Sequence, residues 1–141
     1  RILPILTDTE FQKIDTLMRA ILAELYMMEH GNGEKYETYD SFFCSIIQNF
    51  NKSNSIDKES GSIISNIILH APRIPLKIYE ILYKMISDEQ NGAEAVLVGL
   101  AIIRDLLFYR PPVRNEGLTT LFQLLTDFRS SIREKVCISF L

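Results

Sequence analysis

Two histidines, His30 and His70, and two cysteines, Cys44 and Cys137, are the side chains from which metal or nucleophilic chemistry would have to be built. Their spacing builds none. A structural zinc needs four Cys or His ligands in close pairs, and these four stand far apart in the chain. Gly31-Asn32-Gly33 lacks the preceding strand and the lysine of a phosphate loop, so it reads as a turn. Glu24, Glu29, Asp88 and Glu89 have no partner set for acid–base or metal work, and no serine has a histidine in a plausible context. His70 closes an Ile-rich stretch just before Ala-Pro, where a histidine interacts with the last helix carbonyls. Cys44 and Cys137 each lie in an apolar pattern and read as buried free thiols of a reducing compartment. No catalytic, cofactor-binding or metal-ligating residue is expected, and the chain reads as a non-enzyme.

Charge offers a different kind of candidate. The net charge of −3 argues against a general nucleic-acid binder, which needs a basic surface. Residues 1–103 hold nine basic and fourteen acidic side chains, whereas residues 104–141 hold six and four. Arg104, Arg110, Arg114, Arg129 and Arg133 all fall in that second part. They are the candidates for a basic face that meets an acidic protein partner. Arg104 and Asp105 also admit a structural role, bonding to neighbouring turns at the end of a buried helix.

These residues have to be positioned by helices, because no segment has the period of a strand. The first helix starts near Thr7, with Thr7 and Glu10 as a capping box. Phe11, Ile14, Leu17, Met18, Ile21, Leu22, Leu25 and Met28 follow at helical spacing, and Gly31 to Gly33 ends it. The second runs from about Glu34 to Phe50 on a stripe of Tyr36, Tyr39, Phe42, Phe43, Ile46, Ile47 and Phe50. Ser55 is a candidate cap for the third, which carries Ile63, Ile64, Ile67 and Ile68. Gly61 weakens that helix by about 1 kcal/mol against Ala, and Pro72 stops it near His70. Pro75 suits the first turn of a fourth helix, with Leu76, Ile78, Tyr79, Ile81, Leu82, Met85 and Ile86 inward.

The fifth helix spans Asn91 to Pro112, capped by Asn91 and Glu94. Its core, Ala95 to Ile103, has no charge, and a helix that is apolar all round is buried. It is therefore expected at the centre, and Leu97→Asp is expected to unfold the chain. A sixth helix follows from Arg114 to Thr126, with Leu118, Leu121, Phe122, Leu124 and Leu125 inward. A seventh starts after Ser130-Ser131, with Ser131 and Glu134 as its capping box. With 47% apolar residues and 141 residues in all, this is one all-α domain of about seven helices. No apolar run is long enough to span a bilayer, roughly 18 residues, and no leader peptide pattern opens the chain. The start at Arg1 and the apolar end at Leu141 read as a piece of a longer protein.

An internal repeat refines the fold class. Leu82 to Asp88 lies over Leu121 to Asp127 at an offset of 39, matching Leu82 with Leu121, Met85 with Leu124 and Ile86 with Leu125. Carried onward, Ala93 meets Ile132 and Leu97 meets Val136. A period near 40 with two helices per unit is the signature of HEAT-type arrays. The expectation is an α-solenoid of HEAT/ARM-like repeats, with residues 7–50 as a first helical pair and 55–141 as the repeats.

The second half resembles a known family. Ala101-Ile-Ile-Arg-Asp-Leu-Leu-Phe-Tyr-Arg-Pro-Pro112, then a leucine-rich helix and Arg133-Glu-Lys-Val136, looks like the helical-repeat region of the symplekin family. Ile64-Ser-Asn-Ile-Ile-Leu-His-Ala-Pro72 is similar to the segment one repeat earlier. The likeness covers about residues 60–141 and is loose before that. Family members also carry a longer insertion between the counterparts of the first two helices. The resemblance implies a non-catalytic scaffold in the nuclear machinery for mRNA 3′-end processing, cleavage and polyadenylation. It implies partners as well: the C-terminal domains of the metallo-β-lactamase-type endonuclease and of its inactive paralogue, with no membrane and no direct sequence-specific nucleic acid. The alternatives are a HEAT-type adaptor in transport or another assembly, and a small helical enzyme or ligand binder with a pocket among the aromatics of the second helix.

Overall fold

The computed structural model describes residues 8–31, 33, 35–52, 58–88, 92–126 and 129–140. Seven α-helices make up the described chain: α1 (Asp8–His30), α2 (Glu37–Lys52), α3 (Lys58–His70), α4 (Leu76–Ser87), α5 (Ala93–Tyr109), α6 (Arg114–Leu125) and α7 (Ser130–Ser139). A single 3-10 turn, Pro111–Val113, joins α5 to α6. The described residues contain no strand. The breaks fall where the sequence places them. α3 stops at His70 ahead of Pro72, α4 opens directly after Pro75, which occupies the N-cap, and α5 stops before Pro111.

The expected caps fare differently. Thr7, Asn32, Ser55, Asn91 and Asp127 lie outside the described residues. Gly92 is the N-cap of α5. At α7 the capping box is displaced: the helix starts two residues earlier, Arg129 is the N-cap, and Ser131 sits inside the first turn.

The helices pack in a regular order. α1 lies on α3, α3 on α5 and α5 on α7, while α2 lies on α4 and α4 on α6. Odd and even helices thus form two layers, joined by α1 against α2, α2 against α3, α4 against α5, α5 against α6 and α6 against α7. Every closely packed pair is next, or next but one, along the chain. One continuous apolar core runs through this stack from Leu22 of α1 to Val136 of α7. Phe43, Ile47, Ile64, Ile67, Ile68, Ile78, Leu82, Met85, Leu100 and Ile103 are almost fully enclosed in it, each stabilising by roughly 1.5–3 kcal/mol.

α5 packs on α3, α4, α6 and α7, so it is central as its composition predicts. Its burial is one-sided, however. Ala95, Val96, Leu100, Ile102, Ile103, Leu106 and Leu107 are buried, but Leu97 is 56% exposed and Phe108 68%. Leu97, Arg104 and Phe108 form a stripe turned to solvent, with Ala101 half-buried among them. The same correction applies at Leu17 and Met28 of α1, Leu76 of α4 and Phe122 of α6, all exposed. Each sits at the margin of a helical stripe, where spacing alone does not say how wide the covering neighbour is.

Across the offset of 39, Leu82 and Ile86 of α4 are fully buried while Leu121 and Leu125 of α6 are half-buried, and the match fails for the helices that follow. Met85 and Leu124 are both fully buried, whereas Ala93 and Leu97 are exposed and their supposed counterparts Ile132 and Val136 are buried. Val96 and Leu100 occupy the matching places, three residues on. That is nearly one helical turn, which preserves the apolar face.

Two glycines explain how closely the layers approach. A Cβ on Gly61 would meet Val98 Cγ2 at 2.6 Å, and one on Gly99 would meet Ile86 Cγ1 at 2.8 Å. Gly61 therefore does more than weaken α3. It lets α3 and α5 cross at contact distance, as Gly99 does for α5 and α4.

Candidate partner-binding surface

The five arginines do not form one free basic face. Arg104 is exposed on the outer stripe of α5, with Nε 3.5 Å from the adjacent Asp105 carboxylate. Arg110 turns inward across the stack. Its Nη1 donates to the Leu69 carbonyl at 3.0 Å and also to the Ala71 carbonyl. It thereby satisfies backbone acceptors at the end of α3 and in the α3–α4 turn, which have no partner within their own helix. Arg114 Nε donates to Leu107 O at 3.0 Å and so closes the end of α5. Arg129 is half-buried at the start of α7, and Arg133 is exposed on that helix. Arg110 and Arg114 are thus engaged in joining helices, while Arg104, Arg114 and Arg133 are the exposed residues of the expected face.

A polar junction that sequence reasoning missed ties α1, α2 and the α3–α4 turn together. The backbone N–H groups of Thr38 and Tyr39, in the first turn of α2, donate to Glu29 at 3.3 and 2.6 Å. Glu29 thus caps α2 from α1. The buried Tyr39 hydroxyl donates to the Arg73 carbonyl and accepts from the Arg73 N–H at 3.2 Å. Burial, more than any charge, pushes this phenol up to about 12. The Arg73 guanidinium makes two 3.2 Å bonds to Asp40 and lies 4.6 Å above the Tyr36 ring. Tyr36 in turn stacks on Tyr26 and bonds to His30 Nδ1 at 2.7 Å. Tyr39 and Phe43 of α2 are therefore buried members of this junction and of the core, whereas Phe42 and Phe50 are half-buried.

His70 behaves as its position predicts, with Nδ1 2.9 Å from the Asn66 carbonyl. The cysteines do not. Both are free, but Cys44 is half-buried and Cys137 is exposed, because it follows the last covered position of α7, Val136. Burial raises the Cys44 thiol. Among the described residues no three His, Cys, Asp or Glu side chains are grouped closely enough to hold a metal ion. No described helix is long and apolar enough to cross a membrane.

A groove of about 920 Å³ lies between α4 and α6. Tyr79 and Glu116 lie in its lining, with Leu76, Glu80, Tyr83 and Gln123. The Tyr79 hydroxyl and Glu116 Oε2 are both buried, and neither has a hydrogen-bond partner. Burial, then the nearby Glu116 charge, pushes the Tyr79 phenol up to about 12, against an opposing pull from Arg110. A smaller groove of about 430 Å³, lined by Met18, Phe42, Ile46 and Phe50, lies between α1 and α2 and is mainly apolar.

No protein-family model, no curated protein and no solved structure matches the chain.

Proposed function

We propose that this chain is a non-catalytic scaffold built as a stack of HEAT-type helical pairs, an α-solenoid that presents surfaces to other proteins. The observation that carries this reading is the packing order, odd helix on odd and even on even, with close contacts only between near neighbours in sequence. A helical pair that cannot bury its apolar face alone stacks in this way. The even helices start at Glu37, Leu76 and Arg114, 39 and then 38 residues apart, which fits a period near 40.

The assembly we propose is the one implied by the resemblance to symplekin. The chain would hold the metallo-β-lactamase-type endonuclease and its inactive paralogue, through their C-terminal domains, in the nuclear machinery that cleaves and polyadenylates mRNA. The support for it is the run from Arg104 to Pro112. Within that run Arg110 anchors the α3–α4 turn, so the likeness speaks first for a shared way of stacking helices. That fact favours a second reading, a HEAT-type adaptor of another assembly. Affinity capture from nuclear extract with the tagged, nuclease-treated chain separates the two. Retention of the endonuclease subunit and its paralogue is the expected result. Capture of neither overturns the 3′-end assignment and leaves the adaptor.

A further inference from the structure

We propose that two copies of this chain associate about a two-fold axis on the outer face of α5, with the two α5 helices antiparallel. This goes beyond the scaffold reading and does not rest on it. The face is the stripe of Leu97, Ala101, Arg104 and Phe108, whose two ends are large apolar side chains left in solvent. Residues three and four apart are neighbours on one side of a helix. Antiparallel pairing centred between Ile102 and Ile103 sets position 97 against 108 and position 101 against 104. Leu97 then meets Phe108 of the second copy at both ends of the contact, apolar against apolar. At its centre Ala101, the smallest side chain of the stripe, faces the long stem of Arg104. A small residue opposite a large one is how facing helices fill the space between them.

Charge favours a second copy over a foreign helix. Arg104 Nε lies 3.5 Å from the adjacent Asp105 carboxylate, and both side chains reach solvent. Pairing about this centre brings the two arginines within about 5 Å of each other along the axis. Each then lies between its own Asp105 and the Asp105 of the second copy, on the same rim of the contact. The four charges cancel, and each guanidinium gains a second carboxylate, which its fork of N–H groups is shaped to bond. The other long exposed stripe lacks this property. On α1, Leu17 and Met28 are exposed and also eleven residues apart, but Glu24 stands between them, flanked in the chain by Ala23 and Leu25. The same pairing there sets two carboxylates together with no adjacent cation, and like charges so placed oppose association. From residue 97 to residue 108 the α5 stripe runs about 16 Å. One helix wide, it falls short of the roughly 800 Å² per partner of a stable complex, so the dimer is weak and depends on concentration.

Sedimentation equilibrium of the full chain, up to about 1 mM, tests this. The expected result is a reversible monomer–dimer equilibrium with no larger species, because a two-fold contact closes on itself. Leu97→Asp should weaken the dimer about a hundred-fold with unchanged circular dichroism, since the contact uses that position twice. Arg104→Glu and Asp105→Lys should each weaken it about ten-fold. An equimolar mixture of those two variants should recover the dimer, because each then meets the opposite charge. If Asp105→Lys does not fold, Arg104→Glu, at an exposed position, carries the charge test with Leu97→Asp. A monomer throughout the range overturns the proposal. So does a dimer untouched by Leu97→Asp or Arg104→Glu, and so do folded charge variants that associate no better mixed than alone. Species larger than a dimer would mean a head-to-tail contact and overturn it as well.

Discussion

Arg110 shows why a residue's type and its neighbours do not reveal its work. In the sequence it is a cation beside a proline, as suited to a partner's carboxylate as to anything else. In the fold it reaches 39 to 41 residues back to two carbonyls, one at the end of α3 and one in the α3–α4 turn. Arg110→Ala leaves those acceptors without a donor and is expected to cost about 1–3 kcal/mol in urea denaturation. Arg104→Ala, with its side chain in solvent, should cost no more than about 0.5 kcal/mol. Tyr39 and Tyr79 supply a pH test. Both phenols titrate near 12 in the fold against about 10 when unfolded. The folded state keeps these protons where the unfolded state loses them. Their contribution is therefore complete below pH 10 and lost as pH rises towards 12, by about 2–3 kcal/mol for each group. Chemical denaturation from pH 9 to pH 12 should show this fall, and Tyr79→Phe should reduce it. An unchanged slope would mean that Tyr79 is not buried as described.

At the level of the helix, stops were legible and margins were not. A proline after a helix acts through local sterics, so the ends at His70 and Tyr109 and the start at Leu76 follow from the sequence. The burial of Ile63, Ile64, Ile67 and Ile68 follows from their spacing. Exposure of Leu97 and Phe108 does not, because it depends on whether a neighbouring helix is wide enough to cover them. The candidate surface was less legible than the fold. Glu29 capping α2 and Arg73 on Asp40 join separate elements of the fold, and no local pattern announces them. Leu97→Asp, which apolar content predicts to unfold the chain, is instead expected to leave it folded, at a cost under about 1 kcal/mol. Leu100→Asp, one turn on and 1% exposed, buries an unpaired charge and should abolish folding. Far-ultraviolet circular dichroism of the two variants distinguishes the faces. Loss of structure in both would mean that α5 is enclosed all round. Gly99→Ala complements them: its methyl would meet the buried Ile86 at 2.8 Å, and the strain should cost about 1–3 kcal/mol.

Across the whole molecule, close contacts between near neighbours in sequence have a thermodynamic consequence. Stability in such a stack is approximately a sum of unit and interface terms, so it is not uniform along the chain. Among the described residues α5 packs closely on four helices, α3 on α1, α2 and α5, and α7 closely on α5 and α6 alone. Opening α7 breaks the buried contacts of Ile132 and Val136 and leaves α3, α4 and most of α5 covered. Opening α5 removes the common neighbour of both flanks and amounts to global unfolding. Native-state hydrogen exchange should therefore show graded protection. Amides of Leu100 to Leu106 are expected to exchange only through global opening. Protection should fall stepwise towards α7, and α1 should fall below α3. A closed bundle predicts otherwise, because each helix there faces one shared core and its central amides exchange together. Equal opening free energies for Val136 and Ile103 in mild denaturant would exclude the stack, and a lower value at Val136 is the outcome that the packing order requires.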